Sequence, residues 1–286
     1  MIKFSKSFAL YVLLLLLFGF RGEIFISLIF IILHELTHYF AARKLGFSAY
    51  EIKLLPFGAV LNLQDIDDAE PFEDFIISIA GPCMNIMLAL VFYFIYYKFK
   101  INFCYRFCIC NLVLGIFNLI PAFPLDGARI LRDFLSLKML YRRANKITLN
   151  VSVVIGCLLC FLYFLCFFKG YRGISIGLIA LLVITTSLKE RERVSYIIMG
   201  DIVKKKGKFI RRGYLENKSI SIYYKSNLLK ALELIDKNKY NVFLVLDEEM
   251  CVMDIIYEDE IIDALKKYGN ITLEEFVEDE SNIGNK

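Results

Sequence analysis

Six apolar segments occupy most of the first two thirds of the chain, and a soluble fold could not bury them all. They lie at about residues 7–20, 24–42, 74–97, 107–124, 147–168 and 173–188. Each is near or somewhat below the roughly 20 residues that a helix needs to span a bilayer. Hydrophobic residues make up 58% of the chain, whereas ordinary globular domains have about 45–50%. The sequence therefore predicts an α-helical polytopic membrane protein with about six transmembrane helices.

Basic residues indicate how these spans are oriented, because short cytoplasmic loops carry an excess of lysine and arginine. If six spans alternate, most of the loop cations fall on the side of the C-terminal tail, and Lys98, Lys100 and Arg106 fall on the other side. Both termini are therefore expected to be cytoplasmic. No small-x-small cleavage site follows Phe20, so Met1–Phe20 is expected to be an uncleaved anchor rather than a signal peptide.

Both histidines of the chain lie in one pentapeptide, His34-Glu35-Leu36-Thr37-His38, inside the second apolar segment. A helix brings residues i and i+4 to the same face, so His34 and His38 can bind one metal ion. Glu35 can then reach a water molecule at the open position of that metal. The alternative is a pair of interior histidines that hydrogen-bond to neighbouring helices. That arrangement would leave Glu35 buried without a partner, which is costly.

A hydrolytic zinc site has three protein ligands, so a third ligand must come from another part of the chain. Asp126 ends an otherwise uncharged run from Phe107, and an ionisable residue near membrane depth is a functional candidate. Pro121 and Pro124 interrupt the helix before it, and Gly127 allows close packing or a positive φ after it. The alternative role of Asp126 is the N-cap of a following helix. Two histidines and an aspartate with an open position favour zinc.

Three motifs share the membrane half of the chain: His34-Glu35-xx-His38, Ala80-Gly81-Pro82-xx-Asn85 and Asn118-xx-Pro121-xxx-Leu125-Asp126-Gly127. Together they resemble the motifs of the site-2 protease family, peptidase family M50, which are intramembrane zinc metalloproteases. The resemblance implies that His34, His38 and Asp126 bind one zinc ion per chain and that Glu35 is the general base. It also implies that Asn85, Asn118 and Pro121 bind the locally unwound substrate. For the two asparagines, hydrogen bonding between helices is the alternative.

Between the second and third spans, Ala49 to Asp68 alternates apolar and polar residues around Pro56-Phe57-Gly58. This pattern is typical of a β-hairpin or a re-entrant loop at the membrane face. A hairpin there could offer its edge to an extended peptide.

The chain becomes richly charged after Lys189, which predicts two domains: a transmembrane metalloprotease domain at 1–194 and a cytoplasmic domain at 195–286. Within the tail, the pattern predicts the order helix, strand, strand, helix between Leu228 and Tyr268. This small α/β tail resembles a single CBS domain, a regulatory module, and CBS units pair, which implies a homo-oligomer. The glycine expected near Met253-Asp254 is absent, which counts against ATP binding by the tail.

The predicted function is that of an intramembrane zinc metalloendopeptidase that cuts a membrane-associated or membrane-spanning protein. The short loops leave no room for an inserted PDZ domain. In this respect the chain resembles the bacterial sporulation branch of the family. That resemblance implies a sigma-factor precursor as substrate and membrane-bound regulators as partners. The alternatives are a catalytically inactive membrane scaffold or regulator and a zinc transporter or sensor. A transporter or sensor would be expected to have more ligands along several helices. The net charge of +4 is explained by juxtamembrane residues, so no nucleic-acid partner is expected.

Overall fold

The structure is a computed structural model that describes residues 2–4, 23–47, 49–55, 58–63, 69–170, 175–237 and 239–284. The first predicted span, 7–20, and residues 56–57 and 64–68 of the predicted hairpin segment lie outside these ranges. The chain divides into two compact units. The first unit contains Met1–Lys138 and Ala144–Arg191, and the second contains Met139–Arg143 and Glu192–Lys286.

Six helices follow one another from residue 23 to residue 212. They are α1 (Glu23–Lys44), α2 (Pro71–Phe99), α3 (Asn102–Asn118), α4 (Asp126–Ser136), α5 (Tyr141–Phe168) and α6 (Ser175–Arg212). Among the described residues, α2 and α5 are long and apolar enough to cross a membrane. Both helices leave large apolar side chains exposed, such as Phe94 on α2 and Phe161 on α5. Surfaces of this kind suit contact with lipid. The count of six spans stays a prediction.

Helix α2 is the central helix of the first unit, because it packs against α1, α3 and α4. Its start is marked by a capping box between Glu70 and Glu73 and by Pro71 in the first turn, where the missing N–H of proline has no cost. It ends at Lys100, which adopts the left-handed conformation with φ of 56°.

The fourth predicted span, 107–124, is not one helix. Helix α3 ends at Asn118, and residues 119–125 form a series of turns before α4 begins at Asp126. Pro121 and Pro124 interrupt the helix as predicted, and turns rather than a strand lie between them. A proline lacks the N–H that a helix or a strand would need at its position, and here short turns satisfy the neighbouring groups, including Leu125 N–H donating to Ala122 O at 2.9 Å.

The predicted hairpin is confirmed as strands β2 (Ala49–Leu55) and β3 (Gly58–Leu63), which pair antiparallel. A short strand that sequence analysis missed, β1 (Ile2–Phe4), pairs parallel with β2 and gives the sheet order β1-β2-β3. Three residues are too few to show a periodic pattern. Strand β3 contacts α1, so the hairpin lies beside the helix that carries both histidines.

The second unit is a small α/β fold around a three-stranded sheet. Its elements are β4 (Asn217–Tyr223), α7 (Leu228–Leu234), β5 (Tyr240–Leu246), β6 (Val252–Tyr257), α8 (Glu258–Tyr268) and α9 (Leu273–Gly284). Strand β5 lies in the middle, parallel to β4 and antiparallel to β6. The predicted order from α7 to α8 is confirmed, and α7 ends at Leu234, three residues before the predicted helix end at Lys237. Strand β4 and helix α9 were not predicted.

The core of the second unit includes a buried polar cluster as well as apolar residues. Alternate residues of β5 point inward, which buries Asn241 together with Phe243 and Val245. Glu258 Oε2 accepts hydrogen bonds from Lys205 Nζ at 3.0 Å and from Asn241 Nδ2 at 2.7 Å. The chain therefore supplies its own cation to a buried carboxylate here.

Candidate metal centre

Helix α1 presents His34 and His38 on one face, as the i, i+4 spacing predicts. Both side chains are buried, with 3% and 4% of their surface exposed. The two Nε2 atoms lie 3.1 Å apart. Two imidazoles therefore direct the same ring nitrogen towards one point.

Asp126 completes this cluster from the first residue of α4. Its Oδ2 atom lies 2.9 Å from His34 Nε2 and 3.1 Å from His38 Nε2. Leu125, not Asp126, is the N-cap of α4. The structure therefore brings the aspartate carboxylate to the histidines rather than to the backbone of its own helix.

The turns before α4 place Asp126 by close packing. A Cβ atom at Gly127 would come within 2.3 Å of Leu119 O and 2.4 Å of Ile120 O, so only glycine fits. Of the two reasons that sequence analysis offered for Gly127, close packing is the correct one. Phe123 N–H also donates to Ser152 Oγ of α5 at 2.8 Å, an anchor that no sequence pattern indicated.

Helix α2 supports both histidines from the opposite side. His38 Nδ1 lies 2.6 Å from Ile77 O, and His34 Nδ1 lies 2.9 Å from Asn85 Nδ2. Between these positions, a Cβ atom at Gly81 would come within 2.4 Å of His38 Nε2 and 2.7 Å of His34 Cε1. The absence of a side chain at Gly81 therefore makes room for both rings.

Glu35 follows His34 on α1 and is partly buried. Its carboxylate interacts electrostatically with Asp126 and Arg129. This places a potential proton acceptor beside the ligand cluster, as the motif predicts.

The three ligand atoms fit a zinc ion. Donors at about 2.0–2.1 Å from a tetrahedral zinc stand about 3.3 Å apart, and the separations here are 2.9–3.1 Å. Neutral imidazoles and a carboxylate are ordinary zinc ligands, and three of them leave a fourth position open. His34, His38 and Asp126 are also the one group of potential metal ligands found among the described residues.

A network of charged residues ties α2 to α4 near the ligands. Asp74 accepts hydrogen bonds from Arg129 and, at 2.6 Å, from Arg132 Nη2, while Arg132 Nε donates to Asp133 Oδ1 at 2.9 Å. From the sequence, both arginines belong to the loop cations that indicate orientation, and this network was not predicted. The missed signal was Asp74 itself, an ionisable residue at the first position of a predicted span.

The other residues named by sequence analysis lie elsewhere in the first unit. Asn118 Nδ2 donates to Leu114 O of its own helix at 3.1 Å, and both Asn118 and Pro121 are partly exposed. The structure places Asn85, in contrast, fully buried against His34. Substrate binding by these three residues stays a prediction.

Comparisons with known proteins identify the family of the chain. The profile of peptidase family M50 matches residues 23–101 and 98–159. The solved site-2 protease of Methanocaldococcus jannaschii superposes with a TM-score of 0.51 at 31% identity, covering 66% of this chain and 90% of that one. The chain belongs to peptidase family M50, the site-2 proteases.

Curated relatives of this site-2 protease chain include two whose names state a role. Zinc metalloprotease MJ0392 of M. jannaschii is 39% identical over 127 residues, which are 43% of this chain and 37% of the relative. Stage IV sporulation protein FB of Bacillus subtilis is 28% identical over 153 residues, which are 50% of this chain and 51% of the relative. The chain thus spans about half or less of these two relatives.

Proposed function

We propose that the protein is an intramembrane zinc metalloendopeptidase that hydrolyses a peptide bond in a membrane-associated or membrane-spanning protein. The observation that carries the proposal is the convergence of His34 Nε2, His38 Nε2 and Asp126 Oδ2, with the Glu35 carboxylate beside them. Membership of the family supports it, as does the name of the relative called a zinc metalloprotease.

The chemistry follows from the residue types. Zinc at a site of this kind acts as a Lewis acid and lowers the pKa of water in its open position. His34, His38 and Asp126 would hold the ion, and Glu35 would take a proton from the attacking water. Glu35 would then give that proton to the departing amine. Each proton transfer needs a carboxylate next to the ligands, and Glu35 adjoins His34 in the chain.

The hairpin is the proposed docking site for the substrate backbone. A peptide within a transmembrane helix has its carbonyl groups occupied, so the substrate must unwind before attack. Strand β3 lies at one edge of the described sheet and contacts α1. An extended peptide that adds to this edge would run beside the histidines. Asn118 and Pro121, on the turns that lead to Asp126, are proposed to contact the same peptide.

The placement of the protein in the membrane is also part of the proposal. Six spans with both termini cytoplasmic would put most loop cations on the cytoplasmic side, which the positive-inside rule favours. The two apolar helices α2 and α5 support membrane insertion.

The second unit is proposed to be a cytoplasmic CBS-like regulatory domain at about 195–286. The order of α7, β5, β6 and α8 supports it. A single CBS unit would pair with that of another subunit, which would make the protein a homo-oligomer. The name of the relative called stage IV sporulation protein FB supports a role in sporulation, and we further propose a sigma-factor precursor as substrate and membrane-bound regulators as partners. ATP at this domain has no observation in its favour.

The experiment that tests this function compares the wild type with Glu35→Gln in proteoliposomes with zinc. The probe is a set of single-span model proteins with helix-breaking residues at different depths. Cleavage by the wild type and none by Glu35→Gln, with equal zinc content in both, is the expected result. Glu249→Gln, in an exposed turn of the second unit, is the matched control and should cleave normally. Equal cleavage by Glu35→Gln and wild type would exclude Glu35 as the base.

A further inference from the structure

Helix α2 provides none of the three ligands, yet it contacts the outer nitrogen of both histidines. The Ile77 carbonyl oxygen faces His38 Nδ1, and the Asn85 amide faces His34 Nδ1. Asn85 is entirely buried, and its Oδ1 atom has no hydrogen-bond partner among the described residues. A buried amide whose oxygen has no hydrogen-bond partner costs free energy. The presence of an asparagine at position 85 therefore needs an explanation.

The direction of the His34 ring determines which nitrogen carries its proton. Nε2 is the atom that faces Asp126 Oδ2 and His38 Nε2, so Nε2 must offer its lone pair to a metal ion. A neutral imidazole has one proton, which is then on Nδ1. The group next to Nδ1 must therefore accept a hydrogen bond.

Asn85 can meet this need through its oxygen. In the structure, Asn85 Nδ2 lies 2.9 Å from His34 Nδ1, an arrangement that suits an unprotonated Nδ1. A half-turn of the amide exchanges Nδ2 and Oδ1 and leaves the carbon positions unchanged. Oδ1 would then accept from Nδ1–H. Acceptors of this kind fix the tautomer and orientation of metal-binding histidines.

We propose that Asn85 is a positioning residue that accepts the Nδ1–H proton of His34 through Oδ1 and so holds Nε2 towards the metal. This inference rests on the proposed zinc site. Asn85 thereby does for His34 what the Ile77 carbonyl does for His38. The assignment gives Asn85 a role that requires no contact with the substrate.

Metal affinity separates this role from substrate binding. The dissociation constant for zinc is measured by competition with a chromophoric chelator, in the absence of substrate, for the wild type and for Asn85→Leu. Loss of such an outer partner weakens metal binding by about 10–100-fold, and that loss is expected for Asn85→Leu. Asn85→Asp, whose carboxylate can accept the same proton, should bind zinc within about tenfold of the wild type. The visible spectrum of the cobalt-substituted protein should change in Asn85→Leu, because the His34 ring is released.

Asn111 of α3 provides a matched control. It is also fully buried, its Nδ2 donates to Phe107 O at 2.9 Å, and its Oδ1 has no partner among the described residues. Asn111→Leu should lose a similar buried amide without changing zinc affinity. An equal loss of zinc affinity in Asn111→Leu and Asn85→Leu would mean that packing alone explains the effect, and would overturn the proposal.

Two further outcomes are distinct. Wild-type zinc affinity and an unchanged cobalt spectrum in Asn85→Leu would overturn the positioning role while leaving the proposed function intact, and a raised KM in that variant would then assign Asn85 to the substrate. Failure of the folded wild type to bind zinc would instead overturn the proposed function, and this inference with it.

Discussion

Each of the two units has a carboxylate within a polar cluster, and the two clusters differ in what neutralises that carboxylate. In the second unit, Glu258 lies against the Lys205 ammonium and the Asn241 amide, so the chain provides both a cation and hydrogen-bond donors. In the first unit, Asp126 Oδ2 lies against two imidazole nitrogens. Imidazoles that bind a metal are neutral, so at this cluster we propose that a metal ion supplies the cation. The second cluster has its cation, Lys205, within the chain.

The largest expected effect concerns the polar cluster of the second unit, formed by Lys205, Asn241 and Glu258. Lys205→Met should lower the free energy of unfolding of the second unit by about 3–5 kcal/mol, because it leaves Glu258 buried without its cation. Chemical denaturation followed by circular dichroism measures the loss. Lys206→Met, one residue along α6 and exposed, is the control and should change stability little. Similar stability of the Lys205→Met and Lys206→Met proteins would mean that the ion pair contributes nothing.

Removal of zinc should affect only the first cluster. With free zinc at about 100 times its dissociation constant, binding stabilises the folded state by about 2.7 kcal/mol. Chelation should therefore lower hydrogen-exchange protection of peptides from α1 and α4, measured by mass spectrometry, by up to about 100-fold. Protection of β5 and α8 should not change. Equal losses of hydrogen-exchange protection in α1, α4, β5 and α8 would mean that the two clusters are not independent.

The charged network between α2 and α4 provides a smaller test. Asp74→Asn weakens the contacts to Arg129 and Arg132 that hold the helix carrying Asp126. Zinc affinity should fall by about tenfold, at the low end of what an outer partner contributes, as measured by chelator competition. Glu73→Gln alters the start of α2 but not this network, so it should bind zinc as the wild type does. If Asp74→Asn also binds zinc normally, the network has no influence on the ligands.

The smallest expected effect is a pH dependence in the second unit. Burial raises the pKa of Glu258 above its ordinary value of 4.5, against the lowering effects of Asn241 and Lys205. A carboxyl group whose pKa is raised on folding favours the folded state below its ordinary pKa, and this contribution is lost as the pH rises through the raised pKa. The loss of unfolding free energy caused by Lys205→Met should therefore be smaller near pH 5 than near pH 8 by about 1 kcal/mol or more. If this loss of unfolding free energy does not change with pH, Glu258 does not have the proposed raised pKa.

The cluster of His34, His38 and Asp126 could be predicted from the sequence because it depends on local rules. The i, i+4 spacing of the histidines fixes their common face, and Asp126 stands out as a charge at the end of an uncharged run. The hairpin and the order of elements in the tail were also predictable, since alternation and helical periodicity are local patterns.

The remaining features depend on contacts between residues far apart in the sequence. Nothing near Asn85 indicates that its amide lies against His34, 51 residues earlier in the chain. The contact of Phe123 with Ser152 and the pairing of β1 with β2 are of the same kind. Such contacts are set by tertiary packing, which a single sequence does not display.

The most direct test of the central claim is the zinc content of the detergent-purified protein. We expect about one zinc per chain in the wild type and little or none in His38→Ala and Asp126→Ala. Glu258→Gln alters only the polar cluster of the second unit, so this variant should bind zinc as the wild type does. Absence of zinc from a folded wild type, or undiminished zinc in Asp126→Ala, would contradict the three-ligand site and with it the proposed protease.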